Sequence, residues 1–291
     1  MTSEMQGKIC LVTGATLGIG KDTALGLARM GAHVVIVGRD ETKSRETAAS
    51  IARETGNPQV DFLVADLSSQ AEVRRLAAAF DETYPRLDVL VNNAGAIFTQ
   101  REVTREGFER TWALDHLAPF LLTRLLLPRL EASAPARIVT VASDAHRMGA
   151  IAFDNLQGEK SFSGMRAYAQ SKLANILFTF ALARRLAGTG VTANCLHPGV
   201  VATGFGHNTK GLVKTLASLA RPFLISPAKG AATSIYLASS PAVAGVSGKY
   251  FAKSKAVAPA KQANDVAVQE QLWALSEIQT AGGAKSAAAA E

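Results

Sequence analysis

A tyrosine and a lysine four positions apart are the first residues of this chain that could do chemistry together. Tyr168 and Lys172 lie in the stretch "YAQSK", at the start of a long apolar run. On an α-helix, side chains four positions apart share one face. A free phenol has a pKa of about 10, and a nearby ammonium favours its ionised form, so Lys172 could make Tyr168 a proton donor and acceptor. The same spacing fits a solvated surface pair, and spacing alone does not choose between the two.

A glycine-rich turn near the start of the chain predicts a binding site for the phosphates of a dinucleotide. The apolar run "KICLVT" leads into "TGATLGIG" at 13–20, after which a helical pattern begins. Glycines in such a turn let the backbone approach a pyrophosphate, whose charge the helix N-terminus favours. A turn needed only for packing is the alternative interpretation.

The elements that must position these residues alternate between short apolar runs and longer helical periods. We predict strands in "KICLVT", "HVVIVG", "VDFLVAD", "LDVLVNNAG", "ARIVTVAS", "VTANCLHPG" and "GKYFA". Helices are predicted in "GKDTALGLARMG", "ETKSRETAASIARETG" and "SQAEVRRLAAAFDETY", and over 106–130, 166–187 and 227–238. Continuous Val/Ile/Leu strands between helices indicate a parallel sheet covered on both faces. The predicted fold class is α/β, a doubly wound parallel sheet (Rossmann fold) in a single domain.

Composition and charge limit the partners that we expect. The chain has 291 residues and a formal net charge of +7, from 31 basic and 24 acidic side chains. Because charges of both signs are mixed along the chain, we expect a solvated surface and no nucleic-acid partner. Cys10 and Cys195 lie in separate apolar runs without metal-ligand spacing, so we expect no metal. No signal-peptide pattern and no apolar run of membrane-spanning length is present, and we expect a cytoplasmic protein without a membrane span.

Taken together, the motifs resemble the short-chain dehydrogenase/reductase family. The glycines are spaced Gly-x-x-x-Gly-x-Gly, and further motifs follow in the family's order: "NNAG" at 92–95, Ser143 in "VTVASDAH", "YAQSK", and "HPGVVAT" at 197–203. The long insert before Tyr168, with "NLQGEKSFSGMRAYAQSKLANILF", resembles the retinol dehydrogenase-like branch of that family. The resemblance covers residues 8–251.

This resemblance implies an NADP(H)-dependent oxidoreductase that interconverts a ketone or aldehyde and an alcohol on a small hydrophobic substrate. Ser143 and Tyr168 would bind the substrate oxygen, Tyr168 would donate the proton, and Lys172 would bind the nicotinamide ribose. The implied cofactor-binding residues are Gly14, Thr16, Leu17, Gly18, Ile19, Gly20, Arg39, Asp66, Leu67, Asn93, Ala94, Gly95, Tyr168, Lys172, Pro198, Gly199, Val201 and Thr203. Of these, Asn93 and Gly95 would line the cofactor through their backbones.

The end of the second predicted strand bears on the choice between NADP and NAD. Arg39 follows this strand, and a guanidinium can pair with the 2′-phosphate of NADP, so we prefer NADP(H) to NAD(H). Asp40 could instead bind the ribose hydroxyl of NAD, or simply cap the next helix. Asp66 likewise fits either an adenine contact or a helix N-cap.

One candidate catalytic residue departs from the family's pattern. Where many members carry an asparagine as the fourth catalytic residue, "TWALDHLAPFLLT" places Asp115. If ionised, Asp115 would stabilise Lys172 as an ammonium and offset part of its effect on the pKa of Tyr168; if protonated, it would resemble the amide. The catalytic candidates are therefore Ser143, Tyr168, Lys172 and Asp115.

Three other functions compete with this interpretation. An NAD-dependent secondary-alcohol dehydrogenase would use the same fold. A catalytically weak NADP(H)-binding sensor is favoured by Asp115 and opposed by the intact Ser143, Tyr168 and Lys172. A serine hydrolase would need Asp144 and His146 beside Ser143 to form a relay, which residues so close in sequence do not readily do, and no Gly-x-Ser-x-Gly elbow surrounds Ser143.

The expected boundaries are one domain over 1–281, a substrate lid at 204–227 within it, and a tail at 282–291 outside the fold. In the lid, an apolar face of helical spacing could cover an apolar substrate; its residues are Leu212, Val213, Leu216, Leu219 and Ala220. The family resemblance also implies a homodimer or homotetramer formed through the two long helices.

Overall fold

The fold is organised around an eight-stranded sheet in a computed structural model that describes residues 4–199 and 226–282. The strands are β1 (Ile9–Thr13), β2 (His33–Gly38), β3 (Val60–Val64), β4 (Val89–Asn92), β5 (Ala136–Val141), β6 (Val191–Leu196), β7 (Tyr250–Ala252) and β8 (Lys255–Val257). Their order across the sheet is β3-β2-β1-β4-β5-β6-β7-β8. The pairs from β3 to β7 are parallel, and β8 is antiparallel to β7. The predicted doubly wound parallel sheet is confirmed.

The helices lie between the strands as the periodic pattern predicts. They are α1 (Gly18–Arg29), α2 (Glu41–Thr55), α3 (Gln70–Thr83), α4 (Arg110–Trp112), α5 (Ala118–Ala132), α6 (Gly164–Arg185), α7 (Pro227–Ser239) and α8 (Val266–Thr280). A π-helical turn, Ala113–Leu117, joins α4 to α5. Short 3₁₀ turns occur at Asp144–Met148, Pro241–Val243 and Lys261–Asn264. Strand β8 and helix α8 were not predicted.

The helix predicted over 106–130 begins later, at Arg110, because Glu109 caps it and Glu106 binds to a different helix. The carboxylate of Glu109 accepts hydrogen bonds from the backbone N–H groups of Thr111 (2.8 Å) and Trp112 (2.9 Å), which makes it the N-cap. The carboxylate of Glu106 instead accepts from Gln70 N–H (2.9 Å) at the start of α3. Glu106 therefore belongs to the preceding loop, and its charge stabilises the N-terminus of another helix.

Two apolar layers cover the two faces of the sheet. Because side chains alternate along a strand, Leu11 of β1 faces one layer and Val12 faces the other. The first layer packs the sheet against α3, α5 and α6, and the second packs it against α1, α2 and α7. Both faces of the central strands are thus buried, which explains their continuous apolar sequence.

The C-terminal helix α8 closes the fold over the outer side of α5 and α6. The Trp273 ring stacks on Phe178 (centroids 5.9 Å apart) and meets the edge of Phe120 (5.1 Å). Glu270 pairs with Arg184 (2.6 Å) and Arg185 (2.5 Å) at the end of α6. Between residues 4 and 199 and from 226 to 282, no helix combines the length and the apolar character needed to cross a membrane.

Candidate active site

The candidate site lies where the carboxyl ends of neighbouring parallel strands meet. The glycine turn follows β1, Asn93 to Gly95 follow β4, Ser143 follows β5, and Pro198 and Gly199 follow β6. Since β1, β4, β5 and β6 are adjacent and parallel, these segments share one edge of the sheet. Ligands of open α/β sheets bind at this edge.

The glycine turn packs directly against the end of β4. Gly14 has a φ of 64°, and a Cβ on it would lie 2.8 Å from Cα of Ala94. The side-chain amide of Asn93 donates to the carbonyl of Thr13 (2.8 Å), while Thr13 Oγ1 accepts from the backbone N–H groups of Asn93 (2.9 Å) and Ala94 (3.0 Å). The side chain of Asn93 therefore holds the turn, which is more than the backbone role that the resemblance implied.

The N-terminus of α1 is built to receive an anion. Leu17, which precedes the helix, is extended (φ −160°, ψ 165°), and its side chain is 61% exposed. Within the described part of the chain no side chain caps this helix end. The first N–H groups of α1 and the positive end of its dipole therefore face outward beside glycines 14 and 18. This cradle fits the pyrophosphate of a dinucleotide.

Asp40 is committed to helix capping. Its Oδ1 accepts a hydrogen bond from the backbone N–H of Lys43 (2.9 Å) at the start of α2. Arg39, one position earlier, is exposed, and among residues 4–199 and 226–282 no hydrogen bond or ion pair engages its side chain. This geometry leaves Arg39 available to an outside anion and turns the Asp40 carboxylate toward its own helix.

Asp66, in contrast, does not cap a helix. Its Oδ1 accepts from the backbone N–H (2.9 Å) and the hydroxyl (2.7 Å) of Ser68, and the N-cap of α3 is Ser69. Burial tends to raise the pKa of Asp66, but the hydrogen bonds from Ser68 and the charges of Arg110 and Arg39 outweigh it and hold that pKa below its usual value. Asp66 is thus an ionised, exposed acceptor close to Arg39, and Leu67 beside it is buried.

The four catalytic candidates come together at this edge of the sheet. Nζ of Lys172 lies 5.3 Å from the ring centroid of Tyr168, so the two residues share a face of α6 as their spacing predicted. The side chain of Ser143 is close enough to Tyr168 to act on its phenol and lower its pKa. On its other side, Nζ of Lys172 lies 3.1 Å from Oδ2 of Asp115. The arrangement is a chain of contacts from serine to tyrosine, lysine and aspartate.

Asp115 owes its position to the π-helical turn between α4 and α5. Such a turn shifts side chains relative to a regular helix and is frequent at functional sites. Oδ1 of Asp115 accepts from the backbone N–H of Ala96 (2.9 Å), and its own carbonyl accepts from the amide of Asn175 (2.8 Å). Because its carboxyl oxygens receive N–H donors from both Ala96 and Lys172, Asp115 has the surroundings of a carboxylate.

Gly95 is needed for the lysine to reach this carboxylate. A Cβ at position 95 would lie 2.7 Å from Nζ of Lys172 and 3.2 Å from Oδ2 of Asp115. The backbone after β4 therefore passes directly against the ion pair. Any side chain there would displace Lys172.

The charges of this cluster are buried and act on each other at short range. Burial would lower the pKa of Lys172, but Asp115 and Tyr168 raise it above its ordinary value. Burial raises the pKa of Asp115, opposed by Lys172 and the Ala96 N–H. Burial, and to a smaller extent Asp115, raise the pKa of Tyr168, whereas Lys172 and Ser143 lower it. The net result is a pKa above the ordinary value. Asp115 opposes the effect of Lys172 on the pKa of Tyr168, as expected. The expectation that this pKa is lowered overall is wrong, because burial of the phenol outweighs the nearby ammonium.

Ser143 lies two positions after β5 and is the N-cap of the first 3₁₀ turn. Its Oγ accepts from the backbone N–H of Ala145 (3.2 Å). The imidazole of His146 bonds to the carbonyl of Ser143, not to its hydroxyl, and Asp144 pairs with Arg147 (2.8 Å). No nucleophile relay of the hydrolase kind is formed by these neighbours, as their spacing predicted.

The turn after β6 is described only in part. Gly199 has a φ of 89°, and its N–H donates to Nδ1 of His197 (3.2 Å) beside Pro198. Val201 and Thr203, and the predicted lid up to residue 225, lie outside the described residues, as does the tail from 283. Their expected roles stay predictions.

This fold and its crevice define an oxidoreductase with a dinucleotide-binding sheet. Residues 8–212 match the short chain dehydrogenase family, and the chain belongs to that family. The chain is 44% identical over 290 residues to human retinol dehydrogenase 14, with 94% of this chain and 86% of that protein covered. The resemblance to the retinol dehydrogenase-like branch is confirmed.

Solved structures agree with this assignment. A crystal structure of a protein from Mycobacterium paratuberculosis is 33% identical and has a TM-score of 0.77, covering 96% of this chain and 95% of that one. The Pseudomonas aeruginosa RhlG/NADP active-site complex is 30% identical with a TM-score of 0.70, covering 86% of this chain and 96% of that one. The family and this NADP-bound neighbour support a nicotinamide cofactor.

Proposed function

We propose that this protein is an NADP(H)-dependent oxidoreductase that interconverts a ketone or aldehyde and an alcohol on a hydrophobic substrate. The observation that carries the proposal is the contact chain from Ser143 through Tyr168 and Lys172 to Asp115. Each member of this chain has a chemical task in carbonyl reduction. The reverse path oxidises the alcohol.

In the reduction, the hydroxyl groups of Ser143 and Tyr168 donate hydrogen bonds to the carbonyl oxygen, where negative charge develops. Tyr168 then transfers its proton to this oxygen and becomes a phenolate. The ammonium of Lys172 stabilises the phenolate, and Asp115 fixes the position and charge of Lys172. When bound, NADPH supplies the two electrons and the hydrogen that reach the carbonyl carbon.

The residues around the crevice fit this cofactor. Glycines 14, 18 and 20 and the uncapped start of α1 would hold the pyrophosphate. Asp66 would bind the adenine, and Lys172 the nicotinamide ribose. Arg39 would bind the 2′-phosphate, since its guanidinium is exposed while Asp40 is occupied as a helix cap. These features favour NADP over NAD.

An apolar substrate is supported by two exposed methionines, one on the helix that carries the proton donor and one in the 3₁₀ turn that follows Ser143. Met165 is 51% exposed and lies three positions before Tyr168 on α6, so it projects from the same helix face. Met148, at the end of the 3₁₀ turn that Ser143 begins, is 70% exposed. Flexible thioethers adapt to long apolar ligands. Human retinol dehydrogenase 14 is named for retinol, and we extend this class of long apolar alcohol to the present chain.

A cofactor and substrate screen tests the proposal. NADPH and NADH oxidation are measured with a panel of ketones, aldehydes and retinal, for the wild type and Tyr168→Phe. We expect turnover with NADPH that Tyr168→Phe lowers by at least about a thousandfold, because the phenylalanine keeps the ring and loses the transferable proton. NADPH binding, measured by fluorescence titration, should remain in the variant.

The buried Asp115–Lys172 pair also favours a second function, a catalytically weak NADP(H)-binding sensor, since Asp115 opposes the effect of Lys172 on Tyr168. The same screen separates the two. Tight NADPH binding without turnover on any carbonyl compound would favour the sensor. The cytoplasmic location and a homodimer or homotetramer stay predictions, to be checked by cell fractionation and by sedimentation.

A further inference from the structure

A buried histidine stands behind the serine of the candidate site. His146 is fully buried; its Nδ1 lies 2.7 Å from the carbonyl oxygen of Ser143, and its Nε2 lies 2.9 Å from the backbone nitrogen of Ala260. We infer that His146 is a positioning residue for Ser143 and is held in turn by the C-terminal strap, residues 258–262. The inference rests on the proposed function, in which Ser143 binds the substrate oxygen.

The two hydrogen bonds fix the tautomer of the ring. The backbone nitrogen of Ala260 can only donate, so Nε2 of His146 must be the unprotonated acceptor. The ring proton is then on Nδ1, which donates it to the carbonyl of Ser143. Burial lowers the pKa of His146, in agreement with a neutral ring. Each ring nitrogen thus makes one hydrogen bond, and the imidazole acts as a rigid spacer between the strap and the serine.

This spacer controls where the serine hydroxyl points. The Ser143 carbonyl also accepts from the backbone N–H of His146 (3.1 Å), and its Oγ accepts from the N–H of Ala145 (3.2 Å). The serine backbone is extended, with φ −153° and ψ 155°. His146 restricts the Ser143 peptide through the carbonyl, and the Ala145 N–H restricts the side chain through Oγ, so together they keep the hydroxyl near Tyr168.

The strap is attached to the 3₁₀ turn at three successive points. The guanidinium of Arg147 donates to the carbonyl of Ala258 (3.2 Å), the N–H of Ala260 donates to His146, and the side-chain amide of Gln262 donates to the carbonyl of Gly149. These contacts join segments more than a hundred positions apart in the chain.

The ring of His146 is also held from the side of the sheet. It meets Tyr250 of β7 edge to face, with centroids 5.1 Å apart. Tyr250 stacks in turn on His197, which precedes the Pro198–Gly199 turn (5.8 Å). The imidazole therefore cannot move without disturbing β7 or the strap, and the C-terminal part of the chain reaches the site through it.

Three substitutions at position 146 test the role. The asparagine amide of His146→Asn stands near the position of Nδ1 and can still donate to the Ser143 carbonyl. His146→Gln places its amide near Nε2 and loses that donor, and His146→Leu loses both bonds. We expect His146→Leu to lower kcat by about tenfold to a hundredfold, with the KM for NADPH changed less than about twofold, and His146→Asn to recover more of kcat than His146→Gln. Wild-type kcat in His146→Leu, or equal loss in the asparagine and glutamine variants, overturns the inference.

Ala260 offers an independent test from the strap side. Its φ of −58° suits proline, so Ala260→Pro removes the N–H that His146 accepts with little backbone strain. We expect Ala260→Pro to lower kcat roughly threefold to tenfold, and Ala260→Gly, which keeps the N–H, to lose less. Equal kcat in the proline and glycine variants contradicts the inference. This pair keeps it testable if His146→Leu fails to fold.

Hydrogen exchange separates this inference from the proposed function. The N–H of Ala145 donates to Ser143 Oγ, so its exchange rate reports the position of the serine without any turnover. We expect faster exchange at Ala145 in Ala260→Pro than in Ala260→Gly. A wild type inactive on every carbonyl compound would refute the proposed function alone, whereas unchanged exchange in Ala260→Pro would refute the positioning role.

Discussion

Oδ2 of Asp115 lies 3.1 Å from Nζ of Lys172, and neither side chain exposes more than 4% of its surface. Removing two charges from water is costly unless each finds enough partners. Here the carboxylate also accepts from the Ala96 N–H (2.9 Å), and the ammonium faces the ring of Tyr168. Replacing one partner therefore changes the electrostatics felt by the other and by the phenol.

Substitution of Asp115 by asparagine should move the pH dependence of the reaction. Asp115→Asn keeps an oxygen for the Ala96 N–H and removes the charge that raises the pKa of Tyr168. As long as Lys172 stays protonated in the variant, the pKa of Tyr168 falls, so we expect both the oxidation and the reduction profiles to shift toward lower pH without loss of activity. The measurement is kcat/KM against pH in both directions.

Two controls accompany this experiment. Thermal unfolding of Asp115→Asn at each pH shows that the profile belongs to folded protein. Asp88→Asn removes a buried carboxylate that pairs with Lys8 (3.0 Å), at the opposite ends of the strands, and should leave the profile unshifted. An Asp115→Asn profile that coincides with the wild type would rule out coupling between this carboxyl and Tyr168.

The glycine turn can be tested with two glycines that share a left-handed backbone. Gly7 has a φ of 75° with open space around it, whereas a Cβ on Gly14 would meet Cα of Ala94 at 2.8 Å. We expect Gly7→Ala to cost about 1 kcal/mol of the unfolding free energy and to leave NADPH binding unchanged. Gly14→Ala should lower the unfolding free energy by about 2 kcal/mol or more and raise the Kd for NADPH by about tenfold or more, because β4 and the turn must separate. Urea unfolding and fluorescence titration measure the two effects; equal Kd values in the two variants would contradict a close-approach role.

Arg39 and Asp40 make opposite predictions about cofactor choice. Arg39→Ala should raise the KM for NADPH about tenfold or more and leave the KM for NADH nearly unchanged, since only NADPH carries the 2′-phosphate. Asp40→Ala should cost about 1 kcal/mol of stability through the lost cap on α2 and keep the preference for NADPH. Steady-state kinetics with both cofactors decides. A loss of NADH use in Asp40→Ala would mean that this carboxylate contacts the ribose.

The strands and helices that could be predicted are those with a clear local pattern of apolar residues. All five residues of β1 are buried, so its continuous apolar sequence could be recognised without knowledge of its neighbours. The catalytic candidates were implied by the family resemblance of the motifs, and local patterns supported it: Tyr168 and Lys172 share a helix face, and Ser143 follows a strand of a parallel sheet that gathers strand ends at one edge.

The unpredicted part depends on contacts between distant segments. The π-helical turn that carries Asp115 is held by Asn175 of α6, and no local sequence pattern predicts that contact. Helix α8 is defined by the packing of Trp273 on Phe120 and Phe178, on two other helices. His146 could be seen beside Ser143 in the sequence, but its partner Ala260 is 114 positions away. Periodicity reports which face of an element is buried, not what covers it.

A second buried histidine links α8 to the π-helical turn and should make the fold sensitive to acid. Nε2 of His116 donates to Ser276 Oγ (2.9 Å), whose own proton goes to the carbonyl of Leu272 (2.8 Å). Burial lowers the pKa of His116 to about 4, and a hydrogen bond with Asn175 only partly opposes this. In the unfolded chain the same imidazole has a pKa of about 6.5.

Between these two values the unfolded chain binds a proton at His116 that the folded chain does not, so stability falls as the pH drops from about 6.5 to about 4. The free energy of unfolding should fall by about 3 kcal/mol over this window from His116 alone, on the order-of-magnitude scale of 1.4 kcal/mol per pKa unit. His116→Asn cannot take up the proton. It should be less stable than the wild type at pH 7 but should lose less stability on acidification.

Urea unfolding at several pH values between 7 and 4 measures both curves, and their difference isolates His116 from the carboxylates that titrate in both proteins. Since the charged ring is disfavoured in this buried site, acidification favours opening of the site, and the ring is joined there to α8 through Ser276. Hydrogen exchange in Val266–Thr280 should therefore accelerate below about pH 5 in the wild type more than in His116→Asn. If the free energy of unfolding falls with pH by the same amount in the two proteins, His116 is not the source of the acid sensitivity.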